Sequence, residues 1–213
     1  MKKYRVAIIG TGVMAPAWMD YPLTRDDVEF VALVDPVSER AEAFKARFHL
    51  DAKVYPDLAP ALKESGANLI FNVTPPEAHH AVTIGALRAG CDVFSEKPLA
   101  DTLEHSLEMI RVSQETGKAF FVMQNRRFLK PTVEFKSLIE SGAIGKVGLV
   151  VNEFYMNPGQ GSFRDQVLNH ALLTDMAIHQ FDMMRYMFSA DPVSVYCEDF
   201  TIPGSWFTGK PAA

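Results

Sequence analysis

From Tyr4 to about Gln124, short apolar, β-branched and aromatic runs alternate with longer stretches whose apolar positions recur every three to four residues. That alternation is the pattern of βαβ units wound around a parallel sheet. Six strands are expected, at Tyr4–Ile9, Glu29–Val34, Lys53–Tyr55, Asn68–Val73, Asp92–Ser95 and Ala119–Met123. Most are continuous apolar runs, as suits strands covered by helices on both faces. Helices open at Ser38-Glu39-Arg40, after Asp57, at Glu77 and at Asp101, and the last two stop at Gly90 and Gly117. The fold class is α/β with a doubly wound parallel sheet.

After Gln124 the rhythm changes. A helix ends near Gly142, a long strand is expected at Val147–Met156, a Gly/Pro-rich loop runs through Gly161, a helix spans Leu168–Phe188 and a strand covers Val193–Phe200. This is the start of an α+β region. The two strands would pair only with each other and leave an apolar sheet face, too little for independent stability. Either another subunit completes that sheet or sequence beyond Ala213 does. The tail from Thr201 reads as irregular.

Composition narrows the function. Hydrophobic residues at 48% and charged residues at 22% exclude disorder as the dominant state. A formal net charge of -5 with no basic stripe excludes a nucleic-acid partner. No apolar run approaches the roughly 18 residues of a membrane span, so insertion in a bilayer is not expected. Cys91 and Cys197 stand far apart with no metal-ligand companions, which points to a reducing, cytoplasmic setting and to neither disulfide nor zinc. Met1-Lys2-Lys3 followed by apolar residues and Ala15-Pro16-Ala17 imitates a signal peptide. Gly10 and Gly12 interrupt that run, and a strand followed by a glycine turn explains it better.

Gly10-Thr11-Gly12-Val13-Met14-Ala15 fits G-x-G-x-x-G/A directly after the first strand and before an expected helix. The first glycine makes the tight turn, the second lets a pyrophosphate approach the backbone, and the small Ala15 allows close packing. Asp35 ends the second strand about twenty residues further on, where a carboxylate accepts both hydroxyls of an adenosine ribose and repels a 2′-phosphate. NAD is the expected cofactor. Arg40, one helical turn into the next helix, keeps NADP open as the alternative.

Two further clusters carry chemistry. Ser95-Glu96-Lys97-Pro98 stands at the carboxyl end of the fifth strand, where ligands bind in open α/β sheets and where a lysine can face a nicotinamide. Asp175, His179 and Asp182 recur at i, i+4 and i+7, on one face of the Leu168–Phe188 helix. Metal ligation by these three is not favoured, because no further ligand cluster stands at metal spacing.

On these residues, together with Thr74-Pro75 followed by His79 and Asn125-Arg126-Arg127-Phe128, the chain resembles the Gfo/Idh/MocA family of nicotinamide-dependent oxidoreductases, over essentially its whole length. The resemblance implies a Rossmann domain, residues 1–124, followed by an incomplete α+β open-sheet substrate and oligomerisation domain, residues 125–213. It implies redox chemistry at a secondary alcohol of a sugar, cyclitol or related polyol, and a homo-oligomer built through the C-terminal sheet. His179 would take the hydroxyl proton, Lys97 would stabilise the charge developing on the same oxygen, and Asp175 would hold a neighbouring hydroxyl. Glu96, Thr74, Pro75 and His79 would line the cofactor cleft with the glycine turn. Arg127 is placed to meet an anionic substrate or to link the domains. Where many members have glycines before the Asp-x-x-x-His helix, this chain has Leu168-Asn169-His170-Ala171, so His170 and Arg164 become substrate contacts. Two other functions fit the same residues: a catalytically silent NAD(P)-binding sensor or assembly protein, and an NAD-dependent redox-assisted glycosidase.

Overall fold

The run Tyr4–Ile9 forms β1, and its side chains go alternately to two faces. Val6 and Ile8 enter one apolar core while Ala7 and Ile9 enter another. A strand apolar on both sides is stable only inside a sheet that is covered on both faces. The computed structural model describes residues 3–155, 170 and 172–200. It places around β1 the strands β2 (Val28–Val34), β3 (Lys53–Tyr55), β4 (Leu69–Asn72), β5 (Asp92–Ser95) and β6 (Phe120–Val122), all parallel, in the order β3-β2-β1-β4-β5-β6. The register slips by one residue between Val6 and Ala7, where Val31 of β2 is passed over.

Four helices connect these strands: α1 (Ser38–Phe48), α2 (Leu58–Glu64), α3 (Pro76–Arg88) and α4 (Leu103–Thr116). Thr102 caps α4 by accepting the His105 N–H at 3.1 Å, and Gly117 ends that helix in the left-handed region. Val82, Ala86 and Leu87 of α3 and Met109 and Val112 of α4 pack with Ala7, Ile9, Ile70 and Val93. Ala41 and Phe44 of α1 join Trp18 and Met19 against Val6, Ile8, Leu33 and Phe71. The strand order reverses between β1 and β4, which opens a crevice at the carboxyl ends of the strands.

The expected α-helix after Gly10–Ala15 is not formed. Two 3-10 turns stand there instead, Ala15–Trp18 and Pro22–Thr24. Pro16 and Pro22 lack the N–H groups that would continue a helix, so each only opens a single turn. The glycine turn therefore faces no long helix, and an anion bound there is held by local N–H groups and not by an extended dipole.

The chain divides into two units, Met1–Met123 and Gln124–Ala213. The second holds a 3-10 turn (Asn125–Phe128), α5 (Lys130–Glu140), a π-turn (Leu172–Ala177) and α6 (Ile178–Phe188). Lys136 of α5 donates to the Tyr186 carbonyl at 2.9 Å and the Ser189 hydroxyl at 3.0 Å, fixing α5 on α6. The strands expected at Val147–Met156 and Val193–Phe200 do not form over residues 147–155 and 193–200. A strand needs a ladder partner, and among the described residues these segments have none; Leu149, Val151, Tyr155, Val193 and Tyr196 are all exposed. The Gly/Pro-rich loop and the tail from Thr201 lie outside the described residues.

Gly10 has φ +88°, and a β-carbon there would stand 2.7 Å from the Val73 carbonyl oxygen of the chain leaving β4. Gly10→Ala is expected to lower unfolding stability by about 3 kcal/mol, from backbone strain and overlap together. Urea unfolding checks this; an unchanged midpoint contradicts the close approach.

Candidate functional site

The turn after β1 is held from beneath. One oxygen of the buried Asp35 carboxylate accepts the Thr11 backbone N–H at 3.0 Å and the Thr11 hydroxyl at 2.9 Å. The other accepts the Val37 N–H at 2.9 Å, and Arg40 Nη1 approaches at 3.4 Å. Burial alone pushes the Asp35 carboxyl up; the N–H groups of Val37 and Thr11, the Thr11 hydroxyl and Arg40 outweigh it and hold the group below the usual carboxylate range. Asp35 stands where a ribose-reading acid should, yet its side chain is only 2% exposed and is engaged in tying the turn to β2. Arg40 is the half-exposed member of the pair.

Above the turn, space is open. A β-carbon on Gly12 would meet nothing within 4 Å, and Val13 and Met14 are exposed. The backbone can thus be approached closely from solvent, the requirement a pyrophosphate places on such a turn. The residues present fit a dinucleotide.

At the carboxyl end of β5, Ser95 is buried, and Glu96 donates its N–H to the Asn72 carbonyl at 2.8 Å. The Glu96 carboxylate accepts the Trp18 indole N–H at 2.8 Å on one oxygen and the Lys97 backbone N–H at 3.0 Å on the other. The Lys97–Pro98 peptide is cis. The buried His79 places its ring nitrogens 2.8 Å from the Pro98 carbonyl oxygen and 2.9 Å from that of Thr74. Asn72, also buried, donates to the His79 carbonyl and the Thr83 hydroxyl and accepts the Thr74 hydroxyl at 2.6 Å. His79 is thus buried between the Thr74 and Pro98 loops, with a ring nitrogen against a carbonyl oxygen of each. Pro75 is exposed at the head of α3.

In the second unit Asp175 and His179 are both buried. The helix expected as one continuous α-helix is a π-turn through Asp175 followed by α6 from Ile178. Such wide turns recur at functional sites. His179 Nδ1 stands 3.0 Å from the Gln124 side-chain carbonyl oxygen, which accepts from that nitrogen when it carries the proton. The neutral tautomer protonated at Nδ1 carries its lone pair on Nε2, the form a general base needs.

Asp182 is used differently. Its carboxylate takes a two-pronged contact from Arg127, with Nε donating at 2.9 Å and Nη2 to the other oxygen. The pairing with Asp182 raises the Arg127 guanidinium above its ordinary value, and the Tyr186 ring lies 5.3 Å beneath it. Arg127 thus pins the start of the unit to α6. Arg126 lies over the Phe154 ring at 5.5 Å. His170, at φ 52°, sets its Nδ1 beside the Asp199 carboxylate, and its carbonyl receives the Leu173 and Thr174 N–H groups. Arg164 lies outside the described residues. Among those described, no three His, Cys, Asp or Glu side chains are grouped to hold a metal ion.

Sequence reading missed Trp18, Asn72 and Gln124. Asn72 carries a signal, because a polar residue inside the apolar run Leu69–Val73 must find buried partners. Trp18 and Gln124 carry none.

A doubly wound parallel sheet with an open glycine turn at its switch point and a braced lysine at the end of β5 defines a dinucleotide-binding protein of the Rossmann class. The chain belongs to the Gfo/Idh/MocA family: the family model described as "Oxidoreductase family, NAD-binding Rossmann fold" matches residues 4–124, and the "GFO/IDH/MocA C-terminal domain" matches residues 132–203. Inositol 2-dehydrogenase/D-chiro-inositol 3-dehydrogenase of Lacticaseibacillus casei is 35% identical over 196 residues, covering 90% of this chain and 55% of that protein. D-glucoside 3-dehydrogenase of Escherichia coli K12 is 30% identical over 188 residues, covering 86% and 53%. The structure of myo-inositol dehydrogenase from Lactobacillus casei in complex with NAD(H) and myo-inositol superposes with a TM-score of 0.72 at 30% identity, covering 88% of this chain and 55% of that one. The chain spans about half the length of the curated relatives it matches.

The lowered Asp35 carboxyl has a pH consequence. On acidification the unfolded carboxyl, at about 3.9, takes up a proton before the folded one does, so stability falls with pH below about 4. Asp35→Asn is expected to flatten that acid limb and to lower stability at pH 7; urea unfolding across pH 2 to 7 measures both. An unchanged acid limb contradicts the ties to Thr11 and Val37.

Proposed function

We propose that this chain supplies the cofactor seat and the acid–base residues of an NAD-dependent oxidoreductase acting on a secondary alcohol of a cyclitol, sugar or related polyol. The observation that carries this reading is the Glu96-Lys97 segment, braced on both sides and set on the same edge of the sheet as the Gly10 turn. The inositol and glucoside dehydrogenases among the relatives support the substrate class.

The Gly10–Ala15 turn and the end of β2 hold the dinucleotide, and Thr74 and Pro75 border it. Asp35 favours NAD over NADP by placing negative charge under the ribose, while Arg40 tempers that preference. The nicotinamide, when bound, supplies the two-electron acceptor. His179, protonated at Nδ1 by its bond to Gln124, takes the alcohol proton at Nε2. Lys97 holds the negative charge that develops on the alcohol oxygen, and Asp175 holds a neighbouring hydroxyl. His170 and Arg164 contact the rest of the substrate. The exposed apolar residues of 147–155 and 193–200 support assembly into a homo-oligomer. Two free cysteines, Cys91 and Cys197, suit a cytoplasmic protein.

Reduction of NAD by myo-inositol and by glucosides, followed at the nicotinamide absorbance, tests this reading. Lys97→Ala and His179→Ala are each expected to lower turnover by more than about a hundredfold while NADH binding persists. Unchanged turnover in either variant would overturn its role.

A further inference from the structure

Trp18 is a large aromatic directly behind the glycine turn, and packing alone would account for its burial. Its ring lies 5.1 Å from that of Phe71, and Phe71 stacks on Phe94 at 6.0 Å, so the three rings run from the turn across β4 to β5. Packing does not account for its indole N–H. That group donates at 2.8 Å to a carboxylate 78 positions along the chain, and the second oxygen of the same carboxylate accepts the Lys97 backbone N–H.

We propose that Trp18 is a positioning residue for Lys97, and that the Glu96 carboxylate transmits the placement of the dinucleotide turn to the lysine. The inference rests on the reading of the turn as a cofactor seat and goes beyond it, because it assigns Trp18 a part in the chemistry and gives Glu96 a task other than touching the cofactor. The joint is directional. Trp18 closes the 3-10 turn that begins at Ala15, the last residue of the glycine motif, so ordering the turn orders the indole. The indole fixes one carboxylate oxygen, which leaves the other aimed at the Lys97 N–H. On the far side of the lysine the Pro98 carbonyl oxygen packs 2.8 Å from a ring nitrogen of the buried His79. With Glu96 fixed and Pro98 fixed, Lys97 has little backbone freedom; with Glu96 released, only one side remains anchored.

ADP-ribose is the probe that separates this joint from direct contact, because it carries the pyrophosphate and adenosine but no nicotinamide to touch Lys97. Amide hydrogen exchange is followed on the whole chain by NMR or peptide mass spectrometry. In the wild type ADP-ribose is expected to slow exchange at Gly10–Ala15 and also at Glu96 and Lys97. In Trp18→Phe, which keeps an aromatic ring and removes the N–H, slowing at Gly10–Ala15 persists while slowing at Lys97 is lost. Even without ligand, the Lys97 N–H of Trp18→Phe exchanges about tenfold faster, as loss of one hydrogen bond to a charged group requires, while Val6–Ile8 in β1 are unchanged. Turnover falls between about tenfold and a hundredfold with KM for NAD within about twofold, the sign of a misplaced group rather than a weakened seat. Trp18→Met, which keeps an apolar side chain and likewise removes the N–H while leaving Glu96 intact, gives the same exchange result should Trp18→Phe fold poorly.

ADP-ribose slowing confined to Gly10–Ala15 in the wild type overturns the proposal, as does Lys97 exchange in Trp18→Phe equal to that of the wild type. If ADP-ribose slows nothing at Gly10–Ala15, the cofactor reading itself has failed and the coupling falls with it.

Discussion

A single steric constraint organises the first unit: the chain leaving β1 must pass against the chain leaving β4 with no side chain between them. At Gly10 a β-carbon would stand 2.7 Å from the Val73 oxygen, and the backbone sits at φ +88°. Only glycine meets both conditions without strain. Because the two chains touch there, Thr11 comes within reach of Asp35 and the open approach at Gly12 sits at the switch point of the sheet. Asn72, one residue before the contact, then aligns the Thr74 loop from beneath.

Buried polar groups convert that crossing into a site. Asp35, Asn72, His79 and Glu96 all hold backbone segments of the crevice in place. Each is desolvated or partly so, and each has partners that offset the cost. Carboxylates and amides with fixed partners leave the turn and the segment after β5 with few alternative arrangements. In the second unit Gln124 does the same for His179, and Arg127 with Asp182 anchors the segment that carries Gln124.

Most of the first unit was legible in the sequence because its signals are local. The bounds of β1, β3 and β5 match the apolar runs residue for residue, and Gly117 marks the end of α4 by its left-handed backbone. The missing helix after Gly10–Ala15 was legible too, in Pro16 and Pro22, but the glycine pattern outweighed them. Spacing singles out Asp35; that its carboxylate accepts from Thr11 and Val37 is a matter of packing that spacing does not carry. Arg127 reads in the sequence as a substrate contact or a link; its pairing with Asp182, 55 positions away, is a non-local contact that spacing does not carry. The segments 147–155 and 193–200 have strand composition, yet strands form by non-local pairing, and composition does not supply the partner.

The central claim is that the open turn at Gly12 is the dinucleotide seat. Titration of the chain with NADH and NADPH, followed by nicotinamide fluorescence in the wild type and in Gly12→Val, tests it most directly. A valine there meets no neighbouring atom within 4 Å of its β-carbon, so the fold is expected to stand while the approach is blocked. The account predicts saturable binding that favours NADH in the wild type and its loss in a normally folded Gly12→Val. Undiminished NADH binding in the variant, or none in the wild type, would contradict it.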